Sequence, residues 1–224
     1  MTNLMRRPLI LTALAAQALI CSAQTATTAI PDPTLDTQGA PAWIKLLPKP
    51  TPEPYKKVTA KERWEYWGST TVGPGALIGA VTGAAISQWM NSPEEWGQGW
   101  DSYGVRVASS YGGTFVGNSM QAISAAAFHE DYRFARSGKT GFKARLGAVI
   151  VSPFVARDDN GKKKFAYSGL FGIAGSSAVP LAWSPPSWRS GGDVCINAAV
   201  WYGTVAGTNF VREFFPEVLK HFKK

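Results

Sequence analysis

Charge is absent from four long stretches of this chain. Residues 67–93, 107–128, 165–188 and 194–211 contain no Asp, Glu, Lys or Arg, and they are 27, 22, 24 and 18 residues long. Polar connectors at 94–106, 129–145, 157–164 and 189–193 carry the charges between them. A membrane crossing needs about 20 apolar residues, whereas a surface helix of a soluble domain carries charge on its outer face. The pattern predicts four apolar segments joined by polar turns, within one domain at this chain length. Charged residues make up only 17% of the 224, against about 25% in an average soluble domain. With 45% hydrophobic residues, wholesale disorder is excluded.

The apolar segments are rich in small residues rather than leucine. Gly75, Gly79 and Gly83 are spaced by four, as are Gly113 and Gly117, and Gly203 and Gly207. On a helix that spacing puts the glycines on one face, where two backbones can approach closely. The large apolar residues between 75 and 90 follow a helical rhythm rather than the alternation of a barrel strand. The expected fold is therefore mostly all-α, a Gly/Ala-rich helical bundle, with a β-barrel-like fold as the alternative. One short hairpin is expected near 155–167, because Asp158-Asp159-Asn160-Gly161 is a strong turn signal between extended segments.

The N-terminal part reads differently. Arg6 and Arg7 precede an apolar run at 9–20, and Cys21-Ser22-Ala23 offers small residues for cleavage, so residues 1–23 are read as a secretory signal peptide. Residues 24–58 hold seven of the 15 prolines and are read as a flexible Pro-rich linker with polyproline character. Its one apolar island is residues 42–47. The domain is placed at 59–224, opening on a capping box formed by Thr59 and Glu62. Removing the signal leaves Cys195 as the single thiol, read as a small buried hydrophobe. The expected location is the exported side: the periplasm or an envelope membrane.

Membrane contact is favoured by the segment lengths and by Trp64, Trp67, Trp89, Trp96 and Trp100 flanking the first segment, like an interfacial belt. A mean hydropathy of −0.08 and the many Ser, Thr and Asn residues of 107–128 argue the other way. The reading that reconciles them keeps the polar segments inside a compact helical domain at or in a membrane.

Chemistry-bearing residues are few. The only histidines are His129 and His221. His129, Asp131, Arg133 and Glu213 are the weak catalytic candidates. Glu213, Glu217 and His221 fall at i, i+4 and i+8, a spacing that puts a carboxylate–histidine set on one helical face, although Pro216 interrupts it. The plainer reading is that His129 and Asp131 end a helix and that Glu213 pairs with a nearby cation. Arg133 is expected to pair with Glu213 or Glu217, or Arg212 with Asp131. No nucleotide loop, nucleophile elbow, CxxC or HExxH motif occurs, so no cofactor or metal is assigned. The basic charge of +8 suits anionic lipid or an acidic envelope polymer better than nucleic acid in an exported chain.

Several phrases combine into a resemblance. Ser87-Gln88-Trp89 with Pro93-Glu94-Glu95-Trp96-Gly97-Gln98-Gly99, then His129-Glu130-Asp131-Tyr132-Arg133-Phe134, Arg157-Asp158-Asp159-Asn160-Gly161 and Arg212-Glu213-Phe214-Phe215-Pro216-Glu217, resemble in that order an uncharacterised family of exported, membrane-associated bacterial proteins. That family has an Asp-Pro-Arg-Tyr-like phrase where this chain has Glu130-Asp131-Tyr132-Arg133, and Glu-Phe-Trp-Pro-Asp where it has Glu213 to Glu217. The resemblance spans about 60 to 220. It implies a shared exported domain and no activity. The function expected is a non-catalytic structural or interaction protein of the bacterial cell envelope. Its partners would be membrane lipid or an envelope component, with homo-oligomers forming through the glycine faces. The alternatives are an envelope enzyme, such as a metal-dependent hydrolase acting on lipid or glycan, and a small-molecule binding module with an aromatic-lined pocket. The expected mature N-terminus is Gln24; mass spectrometry of the exported protein checks it, and an intact Met1 or a lipid on Cys21 would contradict it.

Overall fold

The computed structural model describes residues 55–222, with side chains described for 55–210 and 212–214. The expected signal peptide and all but the last four residues of the expected linker lie outside the described residues. Helix α1 (Ala60–Thr71) opens on the expected capping box: the Thr59 hydroxyl accepts from the Glu62 N–H, and the Glu62 carboxylate accepts from the Thr59 N–H. Gly73-Pro74 breaks the helix, and Pro74 restarts it as α2 (Pro74–Trp89), since a proline at the first helical position forfeits no hydrogen bond. Helix α3 (Trp100–Ala127) follows a turn at Glu94–Trp96. Next come α4 (Phe142–Val151), strands β1 (Val155–Arg157) and β2 (Lys163–Phe165), α5 (Tyr167–Ala178) and α6 (Gly191–Phe222). Two 3-10 turns, Val179–Ala182 and Pro186–Trp188, connect α5 to α6, where Pro180, Pro185 and Pro186 preclude a continuous helix.

The fold is all-α apart from β1 and β2, which pair antiparallel with Val155 opposite Phe165. The barrel-like alternative is thereby excluded. Helix α6 continues across Pro216, so that residue does not end it.

Cross-links fix the relative levels of the helices. The Arg63 guanidinium donates to the Glu130 carbonyl, and the Trp67 indole to Ser119. Further along, Arg106 donates to the carbonyls of Ser92, Pro93 and Gly97. Thus α1 and α2 climb beside α3, which descends. The backbone of Tyr167 and Ser168 meets Glu130, and the Trp183 indole meets Ser109, so α5 climbs again. Asn197 meets Ser177, and Glu213 meets Ser137, so α6 descends. The four uncharged segments therefore lie side by side. Segment 107–128 spans about 33 Å at 1.5 Å per residue. Every charged connector falls at one end or the other.

Small residues make the closest contacts. At Gly117 an added Cβ would lie 2.7 Å from the Ser176 Cβ and 3.1 Å from the Gly172 carbonyl oxygen. Gly113 faces Pro180, and Gly175 faces Met120 and Gly117. The α3–α5 crossing therefore rests on backbone proximity, as expected for Gly113 and Gly117. Among the described residues, Gly75 and Gly79 line a cavity. Helix α2 packs on α3 through buried Ala80, Gly83 and Ala84. Gly203 and Gly207 are half-buried on α6.

Two smaller readings also change. Cys195 is exposed rather than buried, because it sits on the outer face of the first turns of α6. The ordered packing begins before Thr59: Val58 is buried, and the Tyr55 ring lies against Gly161. Gly161, at φ +79°, closes the hairpin turn, and a side chain there would strike that ring at 2.6 Å.

Gly117→Val should lower stability by ~1–3 kcal/mol, because the added carbons force two packed backbones apart. Gly104→Ala, where nothing lies within 4 Å, should stabilise by a fraction of that. Thermal unfolding of the two variants checks the contrast, and equal behaviour would mean that α3 and α5 are not in contact.

Candidate functional site

Two features merit description as sites, and both involve the connector after α3. That helix ends at His129, which adopts a left-handed conformation at φ +52°, while the Glu130 N–H reaches back to the Ala125 carbonyl at 2.8 Å. The His129 side chain is exposed, with Nδ1 3.7 Å from the Asp159 carboxylate. Its place is that of a helix terminator, the plainer of the two readings.

Glu130 is fully buried. Its carboxylate accepts from the N–H groups of Tyr167 and Ser168 at 3.1 and 2.9 Å. The residue preceding α5, Ala166, has no side-chain acceptor, so Glu130 caps that helix from 37 and 38 residues away along the chain. A carboxylate there also complements the helix dipole. Sequence reasoning missed this role; the available signal was a helix start without its own capping residue.

Asp131 pairs its backbone with Arg157 in an isolated bridge that extends the hairpin. Its carboxylate accepts from Arg133 Nε at 2.9 Å and Nη2 at 2.7 Å, and from the Arg133 N–H at 3.1 Å. Both side chains are buried. Between them Tyr132 packs edge-on against Tyr66, with ring centroids 5.3 Å apart, and burial pushes its hydroxyl well above the ordinary tyrosine range.

Glu213 is the third buried carboxylate. It accepts from the Ser137 N–H at 3.0 Å, from the Ser137 hydroxyl, and from Arg145 Nε at 3.0 Å. Arg145 lies over the Phe214 ring at 4.4 Å. Burial pushes the Glu213 carboxyl up, but the Ser137 and Arg145 hydrogen bonds outweigh it and hold it below its usual range.

Of the expected ion pairs, Arg133 with Glu213 and Arg212 with Asp131 are replaced by others, and Arg133 with Glu217 involves a side chain outside the described residues. Arg133 turns back on Asp131, and Glu213 is taken by Arg145 on α4, an element not anticipated as its neighbour. Arg212 donates instead to the Tyr66 hydroxyl at 3.5 Å. The side chains of Glu217 and His221 lie outside the described residues, and so does the carboxylate–histidine set that would use them. Among the described residues, no three His, Cys, Asp or Glu side chains gather in a metal-holding group. The candidates Asp131, Arg133 and Glu213 are at the same end of the bundle, but each carboxylate is held by its own guanidinium. Such pairs fasten loops.

The second feature is a cavity of about 1020 Å³ between α2 and α6, floored by α3. Gly75 and Gly79 line it on one side, Trp201 and Thr204 on the other, and Arg106 and Arg212 border it toward its two ends. Arg106 is buried, and its donors are taken by four backbone carbonyls and Gln88 Oε1. No family model matches this chain, and neither does any curated protein or solved structure.

Glu213→Gln should cost ~3–5 kcal/mol, because the buried carboxylate that accepts from Ser137 and Arg145 loses its charge. Because the Glu213 carboxyl is held below its usual range, its contribution is present above about pH 4.3. That contribution is lost as pH falls through the lower, folded-state value. Denaturant unfolding of wild type and variant between pH 3 and pH 7 checks both points: the difference should shrink at the acid end.

Proposed function

We propose that this protein is a membrane-embedded, non-catalytic component of the bacterial cell envelope. One observation carries the reading: the bundle is packed inside out. Among the described residues no Leu, Ile, Phe, Met or Trp is buried, although these are the residues a soluble domain buries first. Its buried apolar positions are mainly alanines, with Val58, Tyr66 and Val149. Leu77, Ile78, Val81, Ile123, Leu170 and Phe171 point outward, from helices whose outer faces carry no charge over the uncharged segments. Apolar exteriors over small, hydroxyl-bearing interiors suit a lipid solvent, where packing rather than hydrophobic burial holds helices together. Residues 60–89 support the same reading: their best window has a mean hydropathy of 1.2 with 22% of it buried.

The charges are sorted as well. The end holding residues 55–65, 129–164 and 212–213 carries fourteen basic and seven acidic residues, while the other end, holding 94–106 and 189–193, carries two and four. The basic end also receives the N-terminal linker, and it suits an anionic headgroup layer. The enzymatic alternative draws no support from its named residues, since His129 faces outward and Asp131 and Glu213 are held by arginines.

The test uses carbonate-washed membranes and the variant Val81→Lys. The full chain should remain with the membrane fraction after the wash. A lysine midway along α2 should shift it toward the soluble or degraded fraction, because such a charge costs about 2.5–3.5 kcal/mol at a helix centre in lipid. In a water-exposed position the same change costs within about 0.5 kcal/mol. Release of the wild-type chain by carbonate, or an indifferent Val81→Lys, would overturn the reading.

A further inference from the structure

Trp89 closes α2 and Trp100 opens α3. Among the described residues they are the most exposed large apolar side chains, at 87% and 88%. They flank one shallow cleft, where Tyr103 lies edge-on to Trp100 with ring centroids 6.1 Å apart. The backbone beneath them is braced. Gln88 donates to the Gly99 carbonyl at 3.0 Å and Gln98 to the Gln88 carbonyl at 2.9 Å. Arg106 holds the carbonyls of Ser92, Pro93 and Gly97 from below. Two tryptophans are thus presented outward by a fixed corner of the fold.

The basic end carries a counterpart. Trp64 is 69% exposed there and stacks on Trp67 with centroids 4.5 Å apart. The bond from the Trp67 indole to Ser119, 3.1 Å long, sets the level of this pair on α3. From Trp100 to Ser119 that helix rises about 28 Å. The hydrocarbon core of a bilayer is about 30 Å thick. Between Asp101 and Ser119 the only charged residue of α3 is Arg106, which is buried.

The indole donors are sorted in the same way. An indole joins an apolar ring to a single N–H, so it settles where hydrocarbon meets water. Among the described residues, no acceptor meets the N–H of Trp64, Trp89 or Trp100, which leaves those donors for water or headgroups. Trp183 is also exposed, but its level is that of Ser109, about 13 Å further along α3 from Trp100. Its N–H is satisfied within the protein, by the Ser109 hydroxyl at 3.0 Å, as a hydrocarbon surrounding demands.

We propose that Trp89 and Trp100 are seated in the lipid headgroup interface at the end opposite the basic one, with Trp64 in the interface of the other leaflet, so that the bundle stands across the bilayer at this register. This placement rests on the membrane reading and adds to it the depth of each ring. The full chain is reconstituted in vesicles of phosphatidylcholine and phosphatidylglycerol whose acyl chains are brominated either near the headgroup or near the methyl end. The fluorescence of Trp89 and Trp100 is taken as the difference between wild type and the double variant Trp89→Phe, Trp100→Phe. The single variants supply it one ring at a time should the double variant fail to fold. Trp64→Phe and Trp183→Phe give the other two signals. The Trp89 and Trp100 signal should be quenched at least twofold more by bromine near the headgroup than by bromine near the methyl end. Trp64 should follow it, and Trp183 should show the reverse order.

Stronger quenching of Trp89 and Trp100 by methyl-end bromine would put them in mid-bilayer and overturn the placement. Quenching of these two by aqueous iodide and by neither lipid, in a chain that carbonate does not release, would sink the placement and leave the membrane reading standing. Shielding from iodide that grows with protein concentration rather than with lipid would assign the pair to a second copy and overturn it too. Release by carbonate, with none of the signals quenched by either lipid, would fail the membrane reading and the placement together.

Discussion

The contact on which the rest of the structure depends is the crossing of α3 and α5 at Gly117. With no side chain there, the backbone of α3 comes within van der Waals reach of Ser176 and the Gly172 carbonyl. Each atom pair contributes little, but many such pairs at close range add up. Because small residues occupy the interior, large ones have nowhere to go but out. The apolar exterior is therefore a consequence of how the helices meet as much as of composition.

The ends of the bundle obey a different rule. Three carboxylates, Glu130, Asp131 and Glu213, are withdrawn from water, and each is held by donors from a separate part of the chain or by its neighbour. Glu130 closes the start of α5, Asp131 ties the connector to the hairpin, and Glu213 fastens α6 to α4. Burying an ion pair stabilises little by itself, but breaking one from a single side is costly. These pairs define where the connectors sit.

Much of this was legible in the residues. The capping box at Thr59, the hairpin around Asn160-Gly161 and the four uncharged segments are all local signals, fixed within a few residues of chain. The ionic partners were not legible. Arg133 was expected to reach for Glu213 because both follow apolar segments. Instead Asp131, two residues away in an extended connector, is closer, and Arg145 arrives on α4, a helix that begins within what reads as a polar connector. Cys195 was misjudged because apolar neighbours in sequence imply burial in a soluble fold, and here the outer face of α6 is itself apolar.

By itself the sequence determined the mostly helical class, the start of α1, the hairpin turn and the separation of charge from apolar length, since periodicity, capping and turn chemistry act within a turn or two of chain. Only the tertiary structure decided which of these residues meet: Gly117 comes against Ser176 and the Gly172 carbonyl on α5, Glu213 accepts from Arg145 on α4, and Glu130 caps α5. Each contact joins residues far apart in the chain, and no local pattern fixes which elements lie side by side.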